Sequence, residues 1–115
     1  MASLAMAVPI LPGQAEGIRR MRDEALGPHR REYEESRRRM GVTKEKAWVQ
    51  QTPLGEMAVV YWEVEEPQRA LRQLAESQEQ FDVWFRQFIQ NVHGMDFAQE
   101  GPPPAPELVF DWEAS

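Results

Sequence analysis

Apolar residues alternate from Leu4 to Ile10, with Leu4, Met6, Val8 and Ile10 on one side and the small Ala5 and Ala7 on the other. A period of two predicts a first strand, and Pro12-Gly13 ends it. From Gln14 the period lengthens: Ile18, Met21, Arg22 and Ala25 recur at near-turn spacing, so a helix is expected to run into Gly27-Pro28. The proline ring must kink or stop that helix. Helical spacing resumes at once, with His29, Tyr33, Ser36 and Met40 on one face and Glu34 with Arg38 and Glu35 with Arg39 as i,i+4 pairs. Gly41 is the expected stop.

Lys46 to Thr52 alternates again, Thr52-Pro53-Leu54-Gly55 has the residues of a turn, and Glu56 to Glu65 places Met57, Val59 and Tyr61 opposite Ala58, Val60, Trp62 and Val64. The two runs predict an antiparallel hairpin that is apolar on both faces. Pro67 opens a short helix through Ala75 with Ala70, Leu71 and Leu74 as its stripe. Ser77-Gln78-Glu79-Gln80 reads as a capping box for the next helix. That helix aligns Phe81, Trp84, Phe85, Phe88, Ile89 and Val92 as its buried face, leaves Asp82, Arg86, Gln87 and Gln90 on a polar one, and stops at Gly94. A stiff stretch, Gly101-Pro102-Pro103-Pro104 with Pro106, leads to a last expected strand, Leu108 to Trp112. The resulting order, β-α-β-β-α-β, predicts an α+β domain of the ferredoxin-like kind: a four-stranded antiparallel sheet with its helices on one face, over residues 1–115. A sheet apolar on both sides needs a cover on the second. A second copy related by a two-fold axis is the simplest, so a homodimer is expected.

Composition narrows the chemistry. The 115 residues include no cysteine, which excludes a disulfide scaffold, thiolate catalysis and thiolate metal sites. Net charge is −6, divided unevenly: residues 1–57 carry ten Lys/Arg against eight Asp/Glu, a net +2, and residues 58–115 carry three against eleven, a net −8. The run His29 to Arg39 holds five arginines, but its three glutamates neutralise much of the stripe. With an overall acidic balance and no recognition motif, a solvated helix face or one meeting an acidic neighbour is expected, and no nucleic acid. Met1 to Ile10 has no basic n-region, and no apolar run approaches membrane-spanning length, so a cytoplasmic protein without membrane contact is expected.

The Pro12-Gly13 exit, Trp48-Val49-Gln50-Gln51-Thr52-Pro53-Leu54-Gly55 across the hairpin, and Ser77 followed by Phe81-Asp82-Val83-Trp84-Phe85 resemble an uncharacterised family of short bacterial proteins. That family is similar to the dimeric α/β-barrel superfamily, of the antibiotic-biosynthesis-monooxygenase kind. The resemblance implies a dimeric α/β barrel with pockets between sheet and helices. Its relatives include cofactor-free quinone-forming monooxygenases, haem-degrading oxygenases, muconolactone isomerases and sensors. Many of the enzymes carry a histidine early in the long second helix, where Trp84 and Phe85 stand here, and the haem-degrading ones use an asparagine on the first strand, which Leu4 to Ile10 lacks.

His29, and His93 with Asp96, are the only histidine-based chemistry in the chain. A histidine with an unperturbed pKa of about 6.5 accepts a proton near neutral pH, which makes His29 the candidate base and His93 with Asp96 the runner-up pair. Against this, a histidine at a helix end ordinarily complements the dipole or caps. Their spacing matches no metal motif, so no metal and no cofactor are expected. Tyr33, Trp48, Gln50 and Tyr61 join an apolar body to a polar tip, as ligand pockets require and as cores also use. The expected pocket lies between the kinked first helix and the sheet, lined by His29, Tyr33, Trp48 and Tyr61. Three functions follow in order: a homodimeric small-molecule-binding or sensor protein, a cofactor-independent monooxygenase or isomerase acting on an aromatic or enol substrate, and a structural or partner-binding module.

Overall fold

A computed structural model describes residues 1–115 as three strands and five helices. The strands are β1 (Ala2–Pro9), β2 (Val42–Thr52) and β3 (Gly55–Val64). The helices are α1 (Ala15–Ala25), α2 (Arg30–Met40), α3 (Pro67–Glu76), α4 (Gln80–His93) and the single turn α5 (Phe97–Glu100). The strands form one antiparallel sheet in the order β1-β3-β2. Thr52 closes the hairpin: its hydroxyl donates to the Gly55 carbonyl at 2.7 Å and accepts from the Leu54 amide at 3.2 Å.

Register decides the two faces. Leu4 lies opposite Trp62 and Trp62 opposite Glu45; Met6, Val60 and Ala47 form the next row, then Val8, Ala58 and Val49. This face meets the helices, and Leu4, Trp62 and Val64 join Met40, Leu71, Phe81, Phe85 and Ile89 in the main core. A smaller cluster joins Ile10, Ala15, Ala58 and Val92. On it α1 approaches α4 so closely that a Cβ at Gly17 would stand 2.8 Å from Val92 Cγ2. The opposite face carries Ala5, Ala7, Trp48, Met57, Val59 and Tyr61, with Trp48 53% exposed. Gly41 and Gly94, both left-handed, stop α2 and α4 as their positions predict.

Several expectations are corrected. The fourth strand is not formed: Leu108 to Trp112 pairs with nothing, and Leu108, Val109, Phe110 and Trp112 are 75–84% exposed. The sheet therefore has three strands, and the short α5 was not foreseen. β2 begins at Val42 rather than Lys46, because an irregularity between Val42 and Lys44 lets the strand carry on through three charged residues. Ser77 does not cap α4. The helix starts at Gln80, and the Ser77 hydroxyl donates instead to Asp82 at 2.5 Å while accepting from the Glu79 amide at 3.2 Å. Asp82 is wholly buried rather than on a polar face, whereas Trp84, expected in the core, is 39% exposed. The ion pairs on α2 are also displaced: Arg30 pairs with Glu34 and Arg31 with Glu35, which frees Arg39 to reach Asp82 at 3.0 Å.

Candidate functional site: a cleft with a buried ion pair

A cleft of about 450 Å³ lies between α1, α2 and the β2 side of the sheet. Ile18, Met21 and Ala25 with Leu26 at the helix end form the α1 wall, edged by Arg19 and Arg22; Ala47 and Val49 form the sheet wall, and Phe85 of α4 the floor. A smaller cavity of about 90 Å³ continues toward β1 and shares Ile18, Met21, Glu45, Ala47 and Phe85 with the first.

The polar part of the cleft is assembled by two periodicities. Tyr33 and Arg37 are four residues apart on α2 and so share its inward face. Glu45 is two residues from Ala47 on β2, so a carboxylate falls in phase with the apolar row. Glu45 Oε1 accepts from the Tyr33 hydroxyl at 2.5 Å and from Arg37 Nε at 2.8 Å, and Oε2 accepts from Trp62 Nε1 at 2.8 Å. The Arg37 guanidinium lies over two rings, its carbon 4.4 Å from the Phe85 centroid and 4.9 Å from that of Tyr33. Arg37 Nη1 donates to Ser36 Oγ at 3.1 Å, while Nη2 is buried with no hydrogen-bond partner.

Ser36 joins this cluster to a second one. Its hydroxyl donates to Asp82, which also accepts from Ser77 and from Arg39 Nη2. A continuous polar chain therefore runs from α4 through α2 to β2 and β3.

The charges of this chain are fixed. Burial works against ionised Glu45, but the adjacent Arg37 guanidinium outweighs it and holds the carboxyl below its ordinary range. Burial likewise opposes the charge of Arg37, and Glu45 more than restores it. Burial and then the charge of Glu45 push the Tyr33 phenol far above its ordinary value. Burial opposes the Asp82 carboxylate too, yet the hydroxyls of Ser36 and Ser77 and the Arg39 guanidinium keep it below its usual range. None of these four groups changes charge near neutral pH. The arrangement is built to present hydrogen-bond donors and an apolar wall, not to exchange protons.

Of the expected site residues, Tyr33 lines the cleft, and the rest of the proposed set is not gathered there. His29 sits at the start of α2, 54% exposed at its side chain, with Nε2 3.5 Å from Glu24. Trp48, Gln50 and Tyr61 stand on the open sheet face, where the Tyr61 hydroxyl donates to Glu63 at 2.9 Å and its pKa is raised by that bond. His93 borders the smaller cavity; its Nδ1 is 2.8 Å from the Pro9 carbonyl, and burial lowers its pKa although that bond works the other way. Asp96 does not partner His93. It caps α5, accepting from the Gln99 amide at 3.1 Å.

Sequence reasoning missed Arg37, Glu45, Trp62 as a donor, and Asp82. The signal for Glu45 was its phase: two and four residues before Ala47 and Val49, on a strand that continues past Lys46. The signal for Arg37 was its place four residues after Tyr33. No helix is long and apolar enough to cross a membrane, and no three His, Asp or Glu side chains gather as a metal-ligand group. No family model, curated protein or solved structure matches the chain.

Proposed function

We propose that this chain binds a small molecule in the cleft between α1, α2 and the sheet. The observation that carries the reading is Arg37 Nη2, a buried guanidinium nitrogen without a partner on a side chain that borders a cleft of about 450 Å³. Leaving a buried donor unpaired costs about 1–3 kcal/mol or more for a charged group, which a ligand acceptor would recover. Because the three arginines that line the cleft are already charge-paired, Arg37 with Glu45, Arg19 with Glu16 and Arg22 with Asp23, a carboxylate ligand would find no free cation and would bring a second negative charge beside Glu45. The ligand class is therefore a neutral oxygen acceptor, a carbonyl or hydroxyl, on an apolar or aromatic body that fills the space beside Phe85 and Met21.

The finer architecture belongs to the same reading. The order β1-β3-β2 with helices on one face supports a ferredoxin-like arrangement, and the open face supports a dimeric α/β barrel. Ala7, Val59 and Trp48 form an apolar row there, flanked by Lys46 and by the Lys44–Glu63 pair, so a two-fold copy can set lysine against glutamate around an apolar centre.

The test is a thermal-shift and calorimetric screen of neutral aromatic ketones and phenols beside their carboxylate counterparts. A neutral acceptor is expected to raise the melting temperature, and Ala47→Phe, which fills the cleft without touching the ion pair, is expected to abolish the shift. Binding that survives Ala47→Phe, or a set in which only carboxylates bind, overturns the reading.

A cofactor-independent isomerase or monooxygenase has one observation in its favour. With Nδ1 donating to the Pro9 carbonyl, neutral His93 keeps Nε2 as an acceptor beside the smaller cavity. Turnover of a bound enol or phenol that disappears in His93→Gln, with binding retained, would support it over simple binding.

A further inference from the structure

Two neighbouring rows on the helix-facing side of the sheet each hold one short side chain. Ala47, Val60 and Met6 lie side by side across β2, β3 and β1, and Val49, Ala58 and Val8 form the next row. A methyl among larger side chains leaves volume beneath the helices, and α4 does not fill it. The smaller cavity, about 90 Å³, lies there, lined by Phe85, Phe88 and Ile89 of α4 together with Ala47, Ala58 and Val60 of the sheet. Such a void is uncommon in a packed interior, because its lining forfeits dispersion contacts.

This space suits carbon rather than water. A buried water needs about two to four polar partners. Glu45 borders the cavity, but Tyr33 and Arg37 take its Oε1 and Trp62 its Oε2. His93, partly exposed, has Nδ1 against the Pro9 carbonyl. The rest of the wall is apolar and includes Met6, Met21 and Met95, whose unbranched side chains re-pack readily around a guest.

The cavity opens toward the cleft. Ile18, Met21, Glu45, Ala47 and Phe85 line both, so the two meet between α1, β2 and α4, beside the Arg37 guanidinium that stacks on Phe85 and pairs with Glu45. A ligand oxygen at Arg37 therefore leaves the body of the ligand at the mouth of the smaller cavity. Met6 and Met95 line only the smaller cavity.

We infer that the smaller cavity is a tail subsite: it receives a saturated chain of about three carbons borne by the ligand in the cleft, so that the ligand is an alkyl-substituted neutral ketone or phenol rather than a bare ring. The inference rests on ligand binding in the cleft and names a part of the ligand that the binding reading leaves open. Volume sets the chain length. An apolar cavity of about 150 Å³ takes up benzene. With about 30 Å³ for each carbon, close to the share of one molecule in liquid water, 90 Å³ holds about three. A second ring does not fit, and a six-carbon chain must displace the wall to which Phe97 and Pro103 contribute.

The test is a series of 4-alkylphenols, from phenol itself to 4-hexylphenol, titrated calorimetrically at pH 7 into the full chain with carbon-13-labelled methionine methyls. Each methylene is expected to tighten binding about fourfold as far as 4-propylphenol, with no further gain from 4-butylphenol onward. Phenol is expected to shift the Met21 methyl resonance, whereas 4-propylphenol shifts those of Met6 and Met95 as well; Met57, on the open face, stays still in both. Val60→Ile, which adds a methylene to the wall, is expected to move the break about one carbon shorter, and Val60→Ala about one to two carbons longer. If phenol moves Met21 while affinity ignores chain length and Met6 and Met95 stay still, this inference is overturned and the cleft reading stands. A gain that continues evenly to 4-hexylphenol overturns it as well, since the chain then lies along an open surface. A Met21 resonance that no phenol moves overturns the cleft reading, and the tail subsite with it.

Discussion

Replacing Glu45 by glutamine removes a charge while keeping the shape of the side chain. Glu45 is only 16% exposed at its side chain and Arg37 5%, so the substitution leaves a guanidinium in a water-poor site. The glutamine oxygen can still accept from Tyr33 or Arg37 Nε, but its amide then faces the Trp62 indole N–H as a second donor. Breaking one side of a buried pair costs about 3–5 kcal/mol. Stacking of Arg37 over Phe85 and Tyr33 offsets about 1 kcal/mol of that. A net loss of about 2–4 kcal/mol is a large part of the roughly 5–15 kcal/mol available to a domain. With an m-value of about 2 kcal/mol per molar, the urea midpoint at pH 7 is expected to fall by about 1–2 M, followed by tryptophan fluorescence. Tyr33→Phe, which deletes one bond to the same carboxylate, is expected to cost less, about 1.5–3 kcal/mol at the upper limit for a charged acceptor. The pH dependence has a definite sign. The folded-state pKa of Glu45 is depressed, so its contribution is complete above the unfolded value near 4.3 and is lost as pH falls through the folded value. Glu45→Gln is therefore expected to flatten the stability curve on the acid side below about pH 4.3. A variant within about 1 kcal/mol of the parent, or with an unchanged acid limb, would show that water reaches the guanidinium and that the polar wall of the cleft is not a buried pair.

Ser77→Ala withdraws one of the donors holding buried Asp82 and is expected to cost about 1.5–3 kcal/mol, at least as much as Trp84→Ala at about 1–3 kcal/mol, since Trp84 is 39% exposed. Chemical denaturation of the two variants tests the ranking, and a Trp84→Ala loss near 5 kcal/mol would contradict the packing of α4. Gly17→Ala sets a helix-propensity gain of about 1 kcal/mol against overpacking of about 1–3 kcal/mol, because the new methyl meets a stiff Val92 side chain at 2.8 Å. A net loss is expected, with Val92→Ala restoring the benefit in the double variant; a Gly17→Ala protein more stable than the parent would mean that α1 and α4 are not in close packing.

Where local chemistry and tertiary packing agree, the pattern of the chain is enough. Gly41 and Gly94 end helices because a left-handed residue is needed there, and Thr52 to Gly55 turn a hairpin because the Thr52 hydroxyl bridges it. The phase of β3 separates Trp62 from Tyr61 without reference to anything distant. Leu108 to Trp112 shows the limit. Its alternation states that it prefers extended backbone, but a strand exists only where another strand accepts it, and nothing local says whether that neighbour belongs to the same molecule.

The candidate site was less legible for a related reason. Helical periodicity puts Asp82 on a polar face, and Glu45 falls before the alternation that begins at Lys46, yet both are drawn inward by partners remote in sequence: Ser36 lies 46 residues from Asp82, and Trp62 lies 17 from Glu45. A buried carboxylate is tolerated only when its oxygens are met, and that condition is visible only after α2 crosses both α4 and β2. What does survive as a readable sign is phase. Ser36 shares a helix face with Met40, and Glu45 shares a strand face with Ala47 and Val49, each a polar residue in register with apolar ones. Such a residue either breaks the pattern or is satisfied from another element: Ser36 by Asp82 of α4, and Glu45 by Tyr33 and Arg37 of α2 and Trp62 of β3. Two nitrogens of α2 are left over, Arg39 Nε and Arg37 Nη2, and the second, on the side chain that borders the cleft, is the atom at which the chain's own hydrogen-bond accounting stops short and a ligand's begins.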